Sequence, residues 1–356
     1  MNKENYEVLI YNSIDAELSI FWNNFCIKYS NYIFQDLYFI QNYLKFKKKN
    51  FDEIKIFVVR HKPSKKIIAI FPFEIRNLFG FKVLNWIGNQ DFDYFCPILI
   101  SDDEFKLDFC KLWDLVLNKI DNCDVIFLTK QAPQIDDCNN PITEKLINIF
   151  KHSKVFNLKL SKNFKEYISS INNKKFINEF LRTKKKLLSL NKKIEFKVIE
   201  SNDPSLKVNQ IIKKKISHLK KLKKKVIFND EISAFFDFLK IDKKITLLAG
   251  IYIDNILVSA SFNFVYKNRL YYFMPVILNN DFNKFSPGKL LIYQLIEWSY
   301  ANNYRTFDFG LGEENYKKYW SNDSLQLYDY LNYKTKKGIV LFFIFRLIKF
   351  IKLLKK

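Results

Sequence analysis

Two kinds of hydrophobic spacing alternate along the first half of the chain. Apolar residues recur at helical spacing from Phe34 to Phe46, whereas Ile54–Arg60 and Ile67–Ile75 are β-rich runs separated by a polar turn that contains Pro63. The two runs predict a β-hairpin. The same patterns predict helices over Ala16–Lys28 and Phe105–Ile120 and strands over Val83–Ile87 and Val125–Thr129.

The second half repeats this order. It is predicted to contain helices over Lys174–Leu190, Ser205–Lys224 and Pro287–Tyr300, and strands over Ile194–Ile199, Ile245–Ile253, Leu257–Tyr266, Leu270–Val276, Thr306–Phe309 and Leu325–Tyr333. Hairpin, strand, helix and strand thus follow one another in both halves. We therefore predict an α/β fold with mixed sheets, built from two similar domains over residues 1–158 and 159–337 and followed by a tail over 338–356.

Length and composition fit two globular domains. The chain has 356 residues, of which 48% are hydrophobic, and a formal net charge of +22 that is carried mainly by Lys. Part of this excess is typical of an AT-rich coding bias. The resulting positive field favours phosphate-bearing ligands, nucleic acid or anionic lipid without choosing among them.

Cysteine and histidine positions argue against a metal site. The five cysteines lie in the first half and form no C-x-x-C pair, and His61, His152 and His218 are widely scattered. We therefore expect reduced thiols in a cytoplasmic protein, histidines in the surface or core, and no metal ion.

The two ends of the chain differ in character. The first residues, MNKENYEVLIYNSID, lack the apolar run of a signal peptide, so export is not predicted. Residues 338–356 are too interrupted for the ~20 apolar residues of a membrane-spanning helix. As a helix this tail would gather Arg346, Lys349, Lys352 and Lys356 on one side, which is typical either of contact with an anionic membrane surface or of docking on the protein body.

A helix start lies between the predicted meander and the next helix. Ser286 occupies an N-cap position and Pro287 the first helical position, followed by Gly288 and Lys289. Backbone amides at such a start, together with a lysine, suit a phosphate or pyrophosphate group. The alternative is an ordinary capped helix.

The segment FDFGLGEENYKKYW follows at the end of a short strand. Asp308 or Glu313 could accept a proton from a nucleophile, and Tyr316 could donate one to a leaving group. In the competing interpretation Asp308 binds backbone amides, Tyr316 and Trp320 pack in the core, and Lys317 is solvated.

The string from Leu270 to Leu331, with YYFMP, SPGKLLIYQLIEW and FDFGLGEENYKKYW, resembles the GNAT domain of CelD-like acetyltransferases associated with cellulose and exopolysaccharide biosynthesis. The first half agrees through FQDLYFIQNYL, IIAIFPFEI and a segment containing Gly88, Asp93 and Tyr94. The resemblance implies two tandem GNAT-like domains, akin to those of FemAB aminoacyltransferases, and direct acyl transfer without a metal.

The resemblance also implies roles for particular residues. An acyl-CoA would lie between the strands of Leu270–Val276 and Thr306–Phe309, held by Met274, Ser286, Pro287, Gly288 and Lys289. Asp308, Glu313 and Tyr316 would be catalytic, and Asp93, Tyr94, Lys317 and Trp320 would contact the substrate.

One departure from the family pattern leaves the identity of the acyl donor open. Of the glycine-rich pyrophosphate loop of GNAT proteins this chain keeps Gly288, so acetyl-CoA, another acyl-CoA, an acyl carrier protein or aminoacyl-tRNA remain candidates. The run over residues 213–225, KKKISHLKKLKKK, is either a tRNA contact or a solvated lysine face. We expect an acyltransferase acting on a sugar or amino acceptor in envelope or exopolysaccharide construction. The alternatives are an aminoacyl-tRNA-dependent peptidyltransferase and a non-catalytic GNAT-like binding protein.

Overall fold

The computed structural model describes residues 3–30, 32–47, 53–100, 105, 107–135, 138–160, 163–199, 208–221, 230–239 and 245–354. The strands are β1 (Tyr6–Tyr11), β2 (Glu53–His61), β3 (Ile67–Leu78), β4 (Phe81–Trp86), β5 (Ile98–Leu99), β6 (Val125–Gln131), β7 (Gln134–Ile135), β8 (Cys138–Asn139), β9 (Ile149–Lys159), β10 (Ile194–Ile199), β11 (Thr246–Ile253), β12 (Ile256–Tyr266), β13 (Arg269–Ile277), β14 (Thr306–Leu311) and β15 (Asp323–Tyr333).

The α-helices are α1 (Ala16–Tyr29), α2 (Leu37–Phe46), α3 (Phe109–Lys119), α4 (Pro141–Lys145), α5 (Phe164–Ser170), α6 (Lys174–Leu188), α7 (Val208–Lys221), α8 (Asp230–Leu239), α9 (Pro287–Ala301), α10 (Asn315–Trp320) and α11 (Lys336–Leu354). Short 3₁₀ turns cover Lys3–Asn5, Ile33–Gln35 and Asn280–Phe285. The chain divides into two compact units, Met1–Lys154 with Leu325–Lys356, and Val155–Ser324.

The first unit has a mixed sheet in the order β1-β2-β3-β4-β6-β15. Its strands are antiparallel except for β4 and β6, which run parallel because α3 connects them. Residues 68–75 of β3 are all buried, which shows that this central strand is covered on both faces. Helices α1, α2 and α3 each begin with an aspartate whose carboxylate accepts a backbone N–H, namely Asp15, Asp36 and Asp108.

The second unit has a mixed sheet in the order β9-β14-β13-β12-β11-β10. Its strands are antiparallel except for β13 and β14. Alternate residues of β11, such as Ala249 and Ile251, pack with α6 and α9 in one hydrophobic core. Phe236 of α8 contacts Phe262 and Phe264 of β12. Helices therefore supply apolar contacts to this sheet from both sides.

The bounds of the two units follow from the pairing of two strands, β9 and β15. The end of β9 pairs with β14 in the second unit, whereas β15 pairs with β6 in the first. The sequence-based division at residue 158 and the assignment of 325–337 to the second domain both differ from these units. The reason is physical: a strand belongs with the sheet that receives its backbone hydrogen bonds, wherever it lies in the sequence.

Helix α11 packs on the first unit. Leu341 and Phe342 join a core cluster with Val83, Val125 and Leu331. A Cβ atom at Gly338 would lie 2.0 Å from the carbonyl oxygen of Asp124, so the helix passes directly over this backbone. Within the described residues, no helix is both long and apolar enough to span a membrane.

Candidate functional site

Strands β13 and β14 diverge in the middle of the second unit. Their parallel pairing joins Arg269–Tyr271 to Thr306–Asp308, and beyond it β13 continues to Ile277 and β14 to Leu311. Phe262 of β12 pairs with Met274, whereas Phe264 pairs with Tyr271. Two steps on β12 thus match three on β13, which is a bulge just beyond the paired segment. A bulge bends a strand, and this one explains why β13 leaves β14 at Tyr271.

A cavity of about 680 Å³ opens where the two strands separate. Its lining combines the end of β13, the 3₁₀ turn Asn280–Phe285, the starts of α9 and α10, and part of α7. The lining residues are Lys214, Lys215, Ser217, His218, Leu219, Lys221, Tyr272, Pro275, Val276, Ile277, Asn280, Asn283, Ser286, Pro287, Gly288, Lys289, Leu291, Ile292, Glu314 and Tyr316. This volume lies within the range of small-molecule and cofactor sites.

The start of α9, over Ser286, Pro287, Gly288 and Lys289, lies in this lining. Ser286 is the N-cap residue, but its φ of +53° places it in the left-handed region and its side chain makes no capping hydrogen bond. Its Oγ atom therefore does not accept a hydrogen bond from a backbone N–H of the first turn of α9. A Cβ atom on Gly288 would meet only Ile277, at 3.9 Å, so this position has open space in front of it.

The wall contributed by α7 is basic. Ile211 and Ile212 bury one side of this helix, and Lys214, Lys215, His218 and Lys221 lie in the cavity lining. The part of the lysine run that the structure describes is therefore not only a solvated face; residues 222–225 lie outside the described residues. Together with Lys289, these side chains give the cavity the charge that a phosphate-bearing ligand requires.

Two tyrosines line the cavity near the point of divergence. Burial raises the pKa of Tyr316, and Glu314 adds to this increase. Burial also raises the pKa of Tyr272, and Tyr316 contributes to that increase. Both phenols therefore stay protonated at neutral pH and act as hydrogen-bond donors rather than as bases.

The loop after β14 is held by two buried charged side chains. Arg269 Nη1 donates to Asp308 Oδ2 at 2.9 Å, and Asp308 Oδ1 accepts the Gly310 N–H at 2.8 Å. Lys317 Nζ donates to the Leu311 carbonyl at 2.6 Å and pairs with Glu314 Oε2 at 3.1 Å. The loop and the first turn of α10 thus present Glu314 and Tyr316 to the cavity from a fixed backbone.

Several residues predicted for the site lie outside the cavity lining. Asp308 is fully buried in its ion pair, and Trp320 is fully buried among Phe176 and Phe180. Both positions agree with the packing interpretation. Lys317 is also buried, in contrast to the solvated position expected in that interpretation.

Four further predicted residues also lie outside the cavity lining. Glu313 is exposed, and its neighbour Glu314 lines the cavity instead. Met274 is buried opposite Phe262. Asp93 and Tyr94 belong to the first unit, where Tyr94 is buried.

Five residues of the lining were among the predicted site residues, namely Ser286, Pro287, Gly288, Lys289 and Tyr316; His218, Tyr272 and Glu314 are among those that were not. His218 follows Lys214 by four positions, so helical spacing already places both on one face. Tyr272 is the side chain next to the bulge, which sequence does not reveal. The sequence does not show which of the neighbouring residues Glu313 and Glu314 lines the cavity, because this depends on the path of the loop. Among the described residues, no cluster of His, Cys, Asp and Glu is suited to a metal ion.

Comparisons with known proteins agree with this geometry. Residues 177–318 match the family described as "Acetyltransferase (GNAT) domain". The chain is similar to FemX with a TM-score of 0.59 at 10% identity, covering 92% of this chain and 97% of that one. A tandem GNAT protein from the clavulanic acid biosynthesis pathway gives a TM-score of 0.50 at 9% identity, with coverages of 93% and 100%.

L-PGS from Bacillus licheniformis gives a TM-score of 0.50 at 11% identity, with coverages of 93% and 96%. No curated protein sequence matches the chain significantly. The predicted fold class, with tandem GNAT-like architecture, is confirmed. The family match over residues 177–318 identifies an acyltransferase domain of the GNAT type within the second unit.

Proposed function

We propose that the second unit transfers an acyl group from a coenzyme A thioester to an amine or hydroxyl of an acceptor. The cavity at the divergence of β13 and β14 carries this proposal. A thin uncharged pantetheine arm suits the space between two separating strands. The phosphates of the donor suit the start of α9 at Pro287–Lys289 and the lysines of α7.

The lining also supplies groups for the transfer itself. The acceptor's lone pair attacks the thioester carbonyl carbon, the new C–N or C–O bond forms, and the C–S bond breaks. In our proposal the carboxylate of Glu314 takes the proton of the attacking group, and the Tyr316 phenol donates a hydrogen bond that stabilises the leaving thiolate, which then takes its proton from solvent. Tyr316 keeps its catalytic role from the sequence, whereas Glu314 replaces Asp308 and Glu313 as base.

Asp308 and Lys317 act as positioning residues in this proposal. They hold the backbone of Gly310 and Leu311, which leads to Glu314 and Tyr316 at the start of α10. Gly312 has a φ of +122°, and a Cβ atom there would lie 2.5 Å from Glu314 Oε2. The loop therefore depends on glycine at this position to keep the carboxylate in place.

A thermal-shift titration tests the donor. Acetyl-CoA or CoA should raise the melting temperature, because a ligand that binds the folded state stabilises it. Tyr316→Phe should keep this shift but lower the rate of acyl transfer by roughly 100-fold. If neither CoA nor its thioesters stabilise the protein, the donor assignment is wrong.

Aminoacyl transfer is the second candidate function. The basic wall of Lys214, Lys215 and Lys221 favours it, because a tRNA end brings phosphates to the same surface. Stabilisation by charged tRNA, together with indifference to CoA, would establish this alternative. Stabilisation by neither would favour the non-catalytic binding protein.

For the acceptor we propose a sugar or amino compound of the cell envelope or an exopolysaccharide. The segments YYFMP, SPGKLLIYQLIEW and FDFGLGEENYKKYW follow one another in the order that resembles CelD-like GNAT proteins. This resemblance supports the proposed acceptor class. We place the reaction in the cytoplasm at the inner membrane surface. A screen of acceptors with labelled acetyl-CoA tests the acceptor class, and product formation with soluble amines alone would contradict it.

A further inference from the structure

Helix α11 carries two apolar faces, of which one packs against the first unit. Leu341 and Phe342 are buried in the first unit, and Phe345 stacks on Phe127 with 4.7 Å between the ring centroids. Lys349 Nζ forms an ion pair with the buried carboxylate of Asp329. These contacts fix the helix in rotation about its own axis.

The opposite face, here called the apolar stripe, points away from the unit. Its residues are between 42% and 59% exposed: Val340, Phe343, Ile344, Leu347, Ile348 and Ile351. Their spacing follows one side of an α-helix over three turns. Soluble proteins rarely expose a continuous apolar surface of this kind without a partner.

Charge around the stripe is of one sign. Residues 336–356 contain seven basic residues and no acidic one, the basic residues being Lys336, Lys337, Arg346, Lys349, Lys352, Lys355 and Lys356. Arg346 is exposed, with its guanidinium over the Phe342 ring at 5.6 Å. Lys349 is turned inward to Asp329, so it does not join a basic outer face as the sequence suggested.

We propose that the apolar stripe binds an anionic lipid surface, with α11 lying in the plane of the interface. The stripe would enter the acyl boundary, and Arg346 would remain at the level of the lipid phosphates. The absence of acidic residues from this segment favours a phosphate-rich surface over a protein partner of mixed charge. This inference is independent of the acyl transfer proposed above.

Co-sedimentation with vesicles tests the proposal. The full chain should bind vesicles of phosphatidylcholine and phosphatidylglycerol and bind pure phosphatidylcholine much more weakly. The double variant Phe343→Ser/Leu347→Ser should lose roughly 100-fold in affinity, because each side chain contributes on the order of tenfold. Arg346→Gln should lose roughly fivefold for the anionic vesicles only.

A matched control removes exposed apolar groups elsewhere on the same unit. Ile27 is 76% and Phe79 is 91% exposed, so Ile27→Ser/Phe79→Ser should bind like the unchanged chain. Melting temperatures of all variants should agree within a few degrees, since the substituted side chains are exposed. Equal vesicle binding by both double variants would overturn the proposal. A dimer in solution that Phe343→Ser/Leu347→Ser converts to a monomer would also overturn it, by assigning the stripe to a second copy.

Discussion

Gly288→Glu is the sharpest perturbation of the proposed donor site. Gly288 lines the cavity as the second residue of α9, and an added Cβ atom meets only ordinary van der Waals contact with Ile277 at 3.9 Å. The introduced side chain can therefore project into the cavity without displacing the backbone. It brings a negative charge to the place where the donor's phosphates are proposed to lie.

The expected loss follows from Coulomb's law. At ~6 Å and an effective dielectric constant of ~40, each phosphate charge is repelled by about 1.4 kcal/mol, a factor of about ten. Two phosphate charges in range give roughly 100-fold weaker CoA binding. The same substitution should stabilise the fold by ~1 kcal/mol, because it removes a glycine and places a carboxylate at a helix N-terminus. Binding and stability should thus change in opposite directions.

Isothermal titration with CoA and thermal unfolding without it measure the two effects separately. Gly288→Gln has nearly the same bulk without the charge and should lose much less affinity than Gly288→Glu. Gly288→Ala should bind within about threefold of the unchanged chain. Equal losses for the Glu and Gln variants would show that bulk, not charge, matters here. CoA affinity unchanged in all three variants would refute the location of the phosphate site.

Four further changes test other parts of the structure. Asp308→Asn should destabilise the second unit by about 3 kcal/mol or more, since it leaves the buried Arg269 guanidinium without its anionic partner. Thermal unfolding measures this loss, and an unchanged melting temperature would contradict the positioning role. Glu314→Gln should lower the acyl-transfer rate while leaving CoA affinity within about threefold, and an unchanged rate would exclude Glu314 as base. Gly338→Ala should weaken the docking of α11, because a Cβ atom would lie 2.0 Å from the Asp124 carbonyl oxygen. Proteolysis near residue 338 should become faster, and unaltered resistance to proteolysis would contradict the contact. Burial raises the pKa of Glu74 to about 7, although the Arg76 guanidinium beside it acts in the opposite direction, so the folded state keeps a proton that the unfolded chain releases at lower pH. Stability should therefore fall as the pH rises towards 7, by ~3 kcal/mol at most. Glu74→Gln should remove this pH dependence from the free energies measured by urea unfolding, and an unchanged pH dependence would contradict it.

The helix start at Ser286 could be identified from the sequence because its signals are local. A serine before Pro-Gly-Lys at the end of a meander marks a helix start wherever it occurs, and the structure places Ser286, Pro287, Gly288 and Lys289 in one cavity lining. Tyr316 lies in the same lining. Elements with strong periodicity, such as β11, β12 and β13, were also predicted within a few residues.

What sequence could not provide depends on contacts between distant segments. Strand β9 was not predicted, because lysine, histidine and serine interrupt its apolar residues, and β14 supplies its pairing from far along the chain. The basic wall of the cavity required knowing which side of α7 faces β13. Asp308 resembled a catalytic carboxylate until its partner, Arg269, was found 39 positions away.

A crystal structure of the protein with bound CoA tests the central proposal most directly. The pantetheine arm should lie between β13 and β14 beyond Tyr271, with the pyrophosphate at the backbone amide of Gly288 and the side chain of Lys289 and the thiol within reach of Tyr316. CoA bound anywhere else, or a cavity that stays empty at saturating CoA, would contradict the proposed acyl-CoA-dependent transfer.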